Sequence, residues 1–260
     1  MCGFRCRRRE IIKALKGARP LPEMLLFPRR IFARPSAATA AMANRASGSR
    51  SAAAGLAASL LFAPLVLYAV GPDSSRLFSW HPTLLAVAFG LVTQPAILLA
   101  RIGRIRLHWA LQATSTTCAL LGICAAYAHK SSLGKPHFAT WHAQTGLAAL
   151  VATLLDASGG ATLLLMRTYG LGKRWLKPGL LRSGHRLAGV VTHAIATAAL
   201  VLGLRSHYGR EALERALPAG DTVLVQLAVQ VLAVVPFTAV AHQVLWPRYD
   251  AGKKKKNSRE

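Results

Sequence analysis

The chain has 260 residues, and 33 Lys and Arg against nine Asp and Glu give a formal net charge of +24, yet 53% of it is hydrophobic and 16% charged. Soluble domains run near a quarter charged. A disordered basic chain would lack this apolar content, and a soluble nucleic-acid-binding domain would not need it. We therefore expect a polytopic membrane protein with its charges in the loops and no nucleic-acid partner.

The apolar residues are concentrated in runs long enough to cross a bilayer, which takes roughly 20 residues of helix. Six runs meet this length, at residues 52–70, 82–100, 107–128, 139–166, 184–204 and 222–246. None of them alternates with period two, and backbone polar groups in lipid must be satisfied internally, so each run is predicted to be a helix. The predicted fold is an all-α bundle of six transmembrane helices.

Basic segments flank the predicted bundle. We divide the chain into a basic, disordered N-terminal segment at residues 1–50, a six-helix domain at 51–248 and a basic tail at 249–260. Residues 1–41 are rich in Arg, with Glu10 and Glu23 as their only acids, which is typical of a mitochondrial transit peptide. The alternative, which we favour, is that synthesis begins at Met42 and the upstream stretch is an extension.

The distribution of Lys and Arg predicts the orientation of the bundle. An even number of spans puts both termini on one face, and 26 of the 33 cationic residues fall on that face, against six on the other. Cytosolic loops carry the excess of Lys and Arg in membrane proteins. Both termini are therefore predicted to be cytosolic.

Four of the nine His residues lie at or just inside the start of a predicted helix. Helices two and four begin on the non-cytosolic side, so His81 and His142 share one depth. Helices three and five begin on the cytosolic side, so His108 and His185 share the other. Opposed imidazoles are suitable axial ligands for haem iron. The sequence therefore predicts two pairs of haem ligands, one near each membrane face.

Glycines follow two of these His residues at the spacing of one helical turn. Gly146 comes four residues after His142, and Gly189 four residues after His185. Residues i and i+4 lie on the same face of a helix, so these glycines are predicted to leave room for the edge of a macrocycle. Of the other His residues, His193 and His242 are interpreted as inter-helix hydrogen-bonding groups, and His129 is assigned to a connector.

The motifs around the four His resemble those of the cytochrome b561 family, in particular its domain-containing D2/D1 branch of transmembrane reductases. They are Leu77-Phe78-Ser79-Trp80-His81-Pro82, Arg104-Ile105-Arg106-Leu107-His108-Trp109, Leu133-Gly134-Lys135-Pro136-His137 leading to His142, and His185 with Gly189. The resemblance covers about residues 50–248. The chain departs from the family pattern at Asp156, which stands in mid-span where an uncharged polar residue is expected.

The resemblance implies that helices two to five bind two b-type haems, with His81 and His142 as ligands of the non-cytosolic haem iron and His108 and His185 as ligands of the cytosolic one. It also implies electron transfer from cytosolic ascorbate to monodehydroascorbate or ferric iron on the far side, in the membrane of the endoplasmic reticulum or of cytoplasmic vesicles. A homodimer is compatible with the sequence.

Cationic residues beside each haem are the candidates for binding anionic substrates, because positive charge raises the local concentration of an anion such as ascorbate. On the cytosolic side they are Arg104, Arg106, Lys177 and Arg182, and on the far side Lys135 and His137. For each, the alternative is a charge that serves only topology or solvation.

Two other functional classes stay open at this point. One is a proton-coupled transporter or channel that uses the intramembrane His residues and Asp156, and the other is a membrane scaffold with a basic tail. An intramembrane carboxylate indicates function by default. For Asp156 we prefer the interpretation of a protonated side chain bonded to a neighbouring helix.

Overall fold

The computed structural model describes residues 37–73, 75–170, 177–217 and 222–245. The chain divides into two compact units, Met1–Ala41 and Met42–Glu260, and the bundle belongs to the second. Its α-helices are α1 (Ala37–Val70), α2 (Trp80–Leu85), α3 (Thr93–Arg101), α4 (Ile105–Ser132), α5 (Trp141–Tyr169), α6 (Pro178–Leu204), α7 (His207–Ala216) and α8 (Thr222–Leu245). A 3-10 turn, Leu77–Ser79, precedes α2, and a π-helical segment, Ala86–Val92, joins α2 to α3.

The six predicted membrane spans are confirmed, and the protein is a multi-pass membrane protein. The helices long and apolar enough to cross a bilayer are Gly48–Val70, Leu77–Arg101, Ile105–Ser132, Trp141–Tyr169, Pro178–Leu204 and Val223–Leu245. Large apolar side chains on these helices are exposed, among them Leu61, Leu121, Leu155, Leu187 and Val231. Such side chains face lipid in a membrane, where exposure carries no hydrophobic cost.

A layer of small side chains lies where the four central spans meet. Ala88, Ala119, Ala149 and Ala196, one from each of the second to fifth spans, form a buried cluster with Phe89. Small residues let helix backbones approach closely in a membrane, where van der Waals packing holds helices together. The alanine layer thus brings the helices that carry the four His residues into contact.

The π-helical segment of the second span is held by hydroxyl groups. The Ala88 carbonyl accepts hydrogen bonds from Thr93 Oγ1 at 2.8 Å and from Ser115 Oγ of α4 at 3.0 Å. The change from i→i+4 to i→i+5 bonding inserts one extra residue into a helix and disturbs its regular hydrogen bonds. Ser115 therefore stabilises the distortion from the neighbouring helix, inside the bundle.

The connector between the fifth and sixth spans is more ordered than its polar composition indicates. Residues 207–216 form α7, which Ser206 caps by accepting a hydrogen bond from the Gly209 N–H at 3.2 Å. Leu213 of α7 is buried in a cluster with Phe62 and Val66 of α1 and with residues of α8. Burial of this apolar side chain explains why a charged segment forms an ordered helix.

The predicted terminal segments are only partly described. Helix α1 begins at Ala37, so residues 37–50 of the predicted N-terminal segment belong to a helix. Residues 1–36 and 246–260, with the questions of a transit peptide and of the basic tail, lie outside the described residues. The division of the chain at residue 50 stays a prediction.

Replacing Gly55 by Leu is expected to destabilise the bundle. A Cβ atom at this position would overlap the Gln94 amide and come within 2.7 Å of Ala239 Cβ, so α1 would be forced away from α3 and α8. Overpacking of this kind costs about 1–3 kcal/mol. Thermal unfolding in detergent should show a lower midpoint for Gly55→Leu. The control is Gly48→Leu in the same helix, where a Cβ meets nothing within 4 Å; an equal loss in both would contradict the packing argument.

Candidate functional site

The structure brings the four predicted His residues together as two pairs. The ring centroids of His81 and His142 are 5.9 Å apart and those of His108 and His185 are 6.4 Å apart, with interplanar angles of 74° and 72°. With a metal–nitrogen bond of about 2.0 Å and about 1.1 Å from each nitrogen to its ring centre, one metal between two imidazoles places their centroids roughly 6 Å apart. Both pairs have the spacing of two imidazoles on a shared metal.

Backbone carbonyls of neighbouring helices anchor three of these imidazoles through Nδ1. The contacts are His81 Nδ1 to Gly122 O at 3.0 Å, His108 Nδ1 to Ala96 O at 2.9 Å and His142 Nδ1 to Ala199 O at 3.0 Å. A carbonyl can only accept, so each Nδ1 must carry the proton and donate it. Nε2 of each ring is then unprotonated and available as a ligand, in the arrangement typical of metal-binding His.

The fourth imidazole is anchored differently. His185 Nδ1 lies 2.8 Å from Oδ1 of Asp156, a side chain of α5. Both atoms are buried, and neither has another hydrogen-bond partner among the described residues. The contact is a close ion-pair contact rather than a well-aligned hydrogen bond. Asp156 thus contacts a neighbouring helix, and its partner is a candidate iron ligand.

The anchors follow a reciprocal pattern between α5 and α6. On α5 the anchor Asp156 follows the ligand His142. On α6 the anchor Ala199 follows the ligand His185 by the same number of residues. Each interval is about four helical turns, or roughly 21 Å. Because the two helices are antiparallel, each supplies a ligand near its own start and an anchor for the other helix's ligand farther along.

The second and third spans repeat the pattern with one extra residue. The interval from His81 to Ala96 is one residue longer than the interval from His108 to Gly122, which equals those of α5 and α6. The additional residue lies in the span that contains the π-helical segment Ala86–Val92. A π-helical turn adds one residue to a helix. The distortion therefore offsets the longer spacing and lets the Ala96 carbonyl reach His108.

Glycines on the facing helix make room for two of the imidazoles. A Cβ at Gly160 of α5 would lie 3.1 Å from Cε1 of His185, and a Cβ at Gly203 of α6 would lie 3.0 Å from Cε1 of His142. Both distances are tighter than ordinary contact. Each ring therefore packs against bare backbone of the opposite helix. Neither glycine was assigned to a His ring from the sequence, because the contact is between helices.

The glycines that the sequence did single out have different surroundings. A Cβ at Gly146 would meet nothing within 4 Å, so the space beside Gly146 is open, and its use by a macrocycle stays a prediction. A Cβ at Gly189 would lie 3.3 Å from Oδ2 of Asp156. The space at Gly189 is therefore occupied by the carboxylate and not left for a macrocycle, which corrects the expectation for this residue.

Aromatic rings surround the His81–His142 end of the bundle. Phe78 contacts His81, His129 and Tyr208, with centroid distances of 5.7, 5.2 and 4.9 Å. Partial burial raises the pKa of the Tyr208 hydroxyl, so the phenol stays neutral at physiological pH. His129 belongs to the last turn of α4 and not to a connector, and the sequence carried no signal for this cluster beyond the aromatic residue types.

The predicted far-side substrate residues lie in the connector at this same end. The His137 ring stacks on Tyr127 with a centroid distance of 4.0 Å, and its Nε2 is 3.2 Å from Ser131 Oγ. Lys135 is exposed, and its N–H donates to the Lys130 carbonyl at 3.0 Å. The connector is thus folded back on the end of α4 and presents a cation beside His137.

The predicted cytosolic-side substrate residues surround the start of α4 and of α6. Arg104 is the N-cap residue of α4, and its carbonyl accepts from the His108 N–H at 3.0 Å. Lys177 is the N-cap residue of α6. Arg106 is exposed on the first turn of α4, and Arg182 lies near the start of α6, also exposed. Helix N-termini carry partial positive charge, so cations and dipoles add to one positive potential beside His108 and His185.

The two remaining His residues within the spans have different environments. His242 Nδ1 lies 3.2 Å from Ser51 Oγ of α1, so the predicted inter-helix hydrogen bond is confirmed. His193 is 3% exposed, and neither ring nitrogen has a hydrogen-bond partner among the described residues. The same prediction is wrong for His193, whose ring instead packs 6.1 Å from that of Phe237.

The donor set of each pair fits a haem better than a bare metal ion. Two imidazole nitrogens supply only two ligands, and in the described part of the chain no three His, Cys, Asp or Glu side chains gather into a metal site. Protein-bound metal ions such as zinc take about four ligands. A haem brings four nitrogens of its own and needs only the two axial positions that a pair can fill.

Comparisons with known proteins show what the chain is similar to. A family model described as eukaryotic cytochrome b561 matches residues 80–209. The chain is 38% identical over 176 residues to transmembrane reductase CYB561D2 of Bos taurus, covering 62% of this chain and 76% of the relative. It is 38% identical over 185 residues to transmembrane reductase CYB561D2 of Homo sapiens, covering 66% and 80%. It is 30% identical over 191 residues to probable transmembrane reductase CYB561D1 of Homo sapiens, covering 69% and 78%.

Replacing Gly160 by Val is expected to displace the His185 ring, because even a Cβ would lie 3.1 Å from it. The purified variant should bind less haem per polypeptide, as measured by the pyridine haemochrome spectrum. Gly159→Val is the control, since a Cβ at Gly159 would lie 3.9 Å from the same ring, at ordinary contact distance. Wild-type haem content in Gly160→Val would contradict the assigned packing.

Proposed function

The chain belongs to the eukaryotic cytochrome b561 family, a family of b-type haem proteins, and we propose that it carries electrons across its membrane through two haems held by its two His pairs. It is a membrane-embedded oxidoreductase, as its relatives named transmembrane reductases indicate. The further elements of the proposal are the number of haems, the ligands and the substrates. His81 and His142 hold one haem iron, and His108 and His185 hold the other.

The observation that carries the proposal is the matched geometry of the two pairs. Both have centroid spacings near 6 Å, and in both every Nδ1 is engaged by a neighbouring helix. The equal ligand-to-anchor intervals along α5 and α6 separate the pairs by about 21 Å. That distance lies within a hydrocarbon core of about 30 Å, with one pair toward each face. Such an arrangement serves to relay an electron from face to face.

The two imidazoles of each pair would determine what kind of chemistry a bound haem supplies. A haem iron held by both imidazoles would have no open site for oxygen or another substrate and would exchange electrons instead. The protein's part is to hold each imidazole through Nδ1 and to exclude water with the alanine layer between the pairs. Substrates therefore react at the protein surface, beside the outer edge of each site.

The surface charges support ascorbate as donor on the His108–His185 side. Ascorbate is an anion at neutral pH, and Arg104, Arg106, Lys177 and Arg182 stand near the two helix N-termini on that side. The excess of Lys and Arg supports a cytosolic location for this face. The family resemblance implies the membrane of the endoplasmic reticulum or of cytoplasmic vesicles. On the opposite face, Lys135 and His137 are proposed to receive monodehydroascorbate or an anionic ferric chelate. The oligomeric state, including a homodimer, stays outside the proposal.

The transporter alternative has less support. It required intramembrane His and Asp side chains along a pathway for protons. The four His instead form closed pairs with their Nδ1 atoms engaged, and the relatives are named reductases.

Replacing one ligand of either pair is expected to remove about half of the haem, because each pair holds one iron. His108→Leu should lose the haem of the His108–His185 pair and keep the other, and His81→Leu should do the reverse. Haem content and the reduced-minus-oxidised spectrum measure both. Equal loss of all haem from every single variant would instead indicate general misfolding, which a thermal-unfolding measurement on the same samples identifies.

Replacing Arg106 by Glu is expected to slow haem reduction by ascorbate several-fold at low salt, because it reverses a charge that attracts the anion. A Glu in the first turn of α4 is favourable for the helix itself, so the fold should persist. Stopped-flow reduction at increasing ionic strength measures the effect, which should shrink as salt screens it. Arg210→Glu, an exposed reversal at the other end of the bundle, should leave the rate unchanged. Equal effects from both variants would exclude a local donor site.

A further inference from the structure

One of the four imidazole anchors differs in chemistry from the other three. At the anchor positions 96, 122 and 199 the chain has Ala, Gly and Ala, and the backbone carbonyl itself accepts from the imidazole. At the equivalent position 156 the chain has Asp, and the carboxylate takes the place of the carbonyl, with Oδ1 2.8 Å from His185 Nδ1. The His108–His185 pair therefore has a charged anchor, and the His81–His142 pair has two neutral ones.

The surroundings restrict this carboxylate to the imidazole. The side chains of His185 and Asp156 are 21% and 18% exposed, and Oδ1 has no other hydrogen-bond partner among the described residues. Gly189 leaves the space that Oδ2 occupies, since a Cβ there would come within 3.3 Å of it. The His185 ring also packs against Gly160, which lies one helical turn after Asp156 on α5. The two glycines therefore fit the carboxylate and the ring into a close inter-helix contact.

A carboxylate beside Nδ1 of an imidazole changes the reduction potential of a metal bound at Nε2 of the same ring. Its negative charge beside Nδ1 pushes electron density toward Nε2, which makes Nε2 a stronger electron donor to the metal. Its negative charge would also act on an iron held by His185 through a medium of low dielectric, where charge interactions are strong. Both effects stabilise the ferric form over the ferrous form, because the ferric form carries one more positive charge. Axial ligand basicity and hydrogen bonding are established means of tuning haem potential.

We propose that Asp156 is a positioning residue that lowers the reduction potential of the His108–His185 haem below that of the His81–His142 haem. The proposal rests on the two-haem function proposed above. An electron on a haem held by His108 and His185 would then move downhill to a ferric haem held by His81 and His142, with no bond made or broken. Asp156 thereby gives the pathway its direction, away from the face that carries Arg104 and Arg106.

A redox titration of the haem-loaded protein with mediators tests this proposal. The wild type should titrate in two one-electron steps. In Asp156→Asn the lower step should move up by at least tenfold in the equilibrium constant for reduction, about 59 mV for one electron. The other step should stay in place. The low-spin ferric electron paramagnetic resonance signal of the same haem should change, because the donor strength of His185 has fallen.

The matched control is Glu211→Gln, which neutralises the carboxylate of the exposed His207–Glu211 contact, 3.4 Å long, outside the spans. It should move neither step. Unchanged potentials in Asp156→Asn, or a shift confined to the other haem, would overturn the proposal.

Variants that lose haem are also informative. If Asp156→Asn fails to retain the haem, Asp156→Gln keeps an uncharged acceptor on a longer side chain, and the same upward shift is required of it. Haem loss in both neutral variants would show that the carboxylate is needed for binding itself, and would overturn a role in setting the potential.

The titration separates this proposal from the proposed function. It reduces the haems chemically and needs neither ascorbate nor an acceptor. If both reduction potentials are unchanged in Asp156→Asn, only the role of Asp156 in setting the potential is refuted. A protein with no haem, or with haem that ascorbate does not reduce, would refute the function instead.

Discussion

An imidazole N–H inside a bilayer has no water to accept its proton, so each of the four paired His residues must find an acceptor in the protein. The anchoring groups all belong to neighbouring helices: three carbonyls accept hydrogen bonds, and one carboxylate makes a close ion-pair contact. This requirement ties ligand geometry to helix packing. A helix that slid along its neighbour would lose the anchor it supplies and the anchor it receives together, so the two His pairs and the register of the bundle stabilise each other.

All four ligand-bearing spans place an anchor about four helical turns after a ligand, but they do so with different local backbone structure. Helices α5 and α6 use equal intervals between ligand and anchor, whereas the second span uses one residue more and contains the π-helical segment Ala86–Val92. Ser115 and Thr93 bond the Ala88 carbonyl within this segment. The distortion persists because its polar groups are satisfied inside the bundle, where an unpaired carbonyl would be costly.

The two ends of the bundle differ in ways that match the proposed direction of electron flow. One end has cations near two helix N-termini and a carboxylate behind its imidazole pair. The other has a cluster of aromatic rings and a connector that carries Lys135 and His137. The surface cations affect how fast an anionic substrate reaches the protein. The Asp156 carboxylate affects the reduction potential of the haem. Both proposals therefore assign separate roles to separate residues.

Much of this protein follows from local sequence properties. The length of an apolar run determines a span, the count of spans determines which helix starts share a face, and the depth of His81, His142, His108 and His185 follows from both. Only the tertiary structure determined the contacts between helices. These are the anchors at 96, 122 and 199, the glycines at 160 and 203, and the contact of Asp156 with His185. The i+4 spacing describes contacts along one helix only. It therefore predicts space for a macrocycle at Gly189, where the structure has the Asp156 carboxylate of α5. A side chain's partner on another helix depends on register and packing, which no single segment contains.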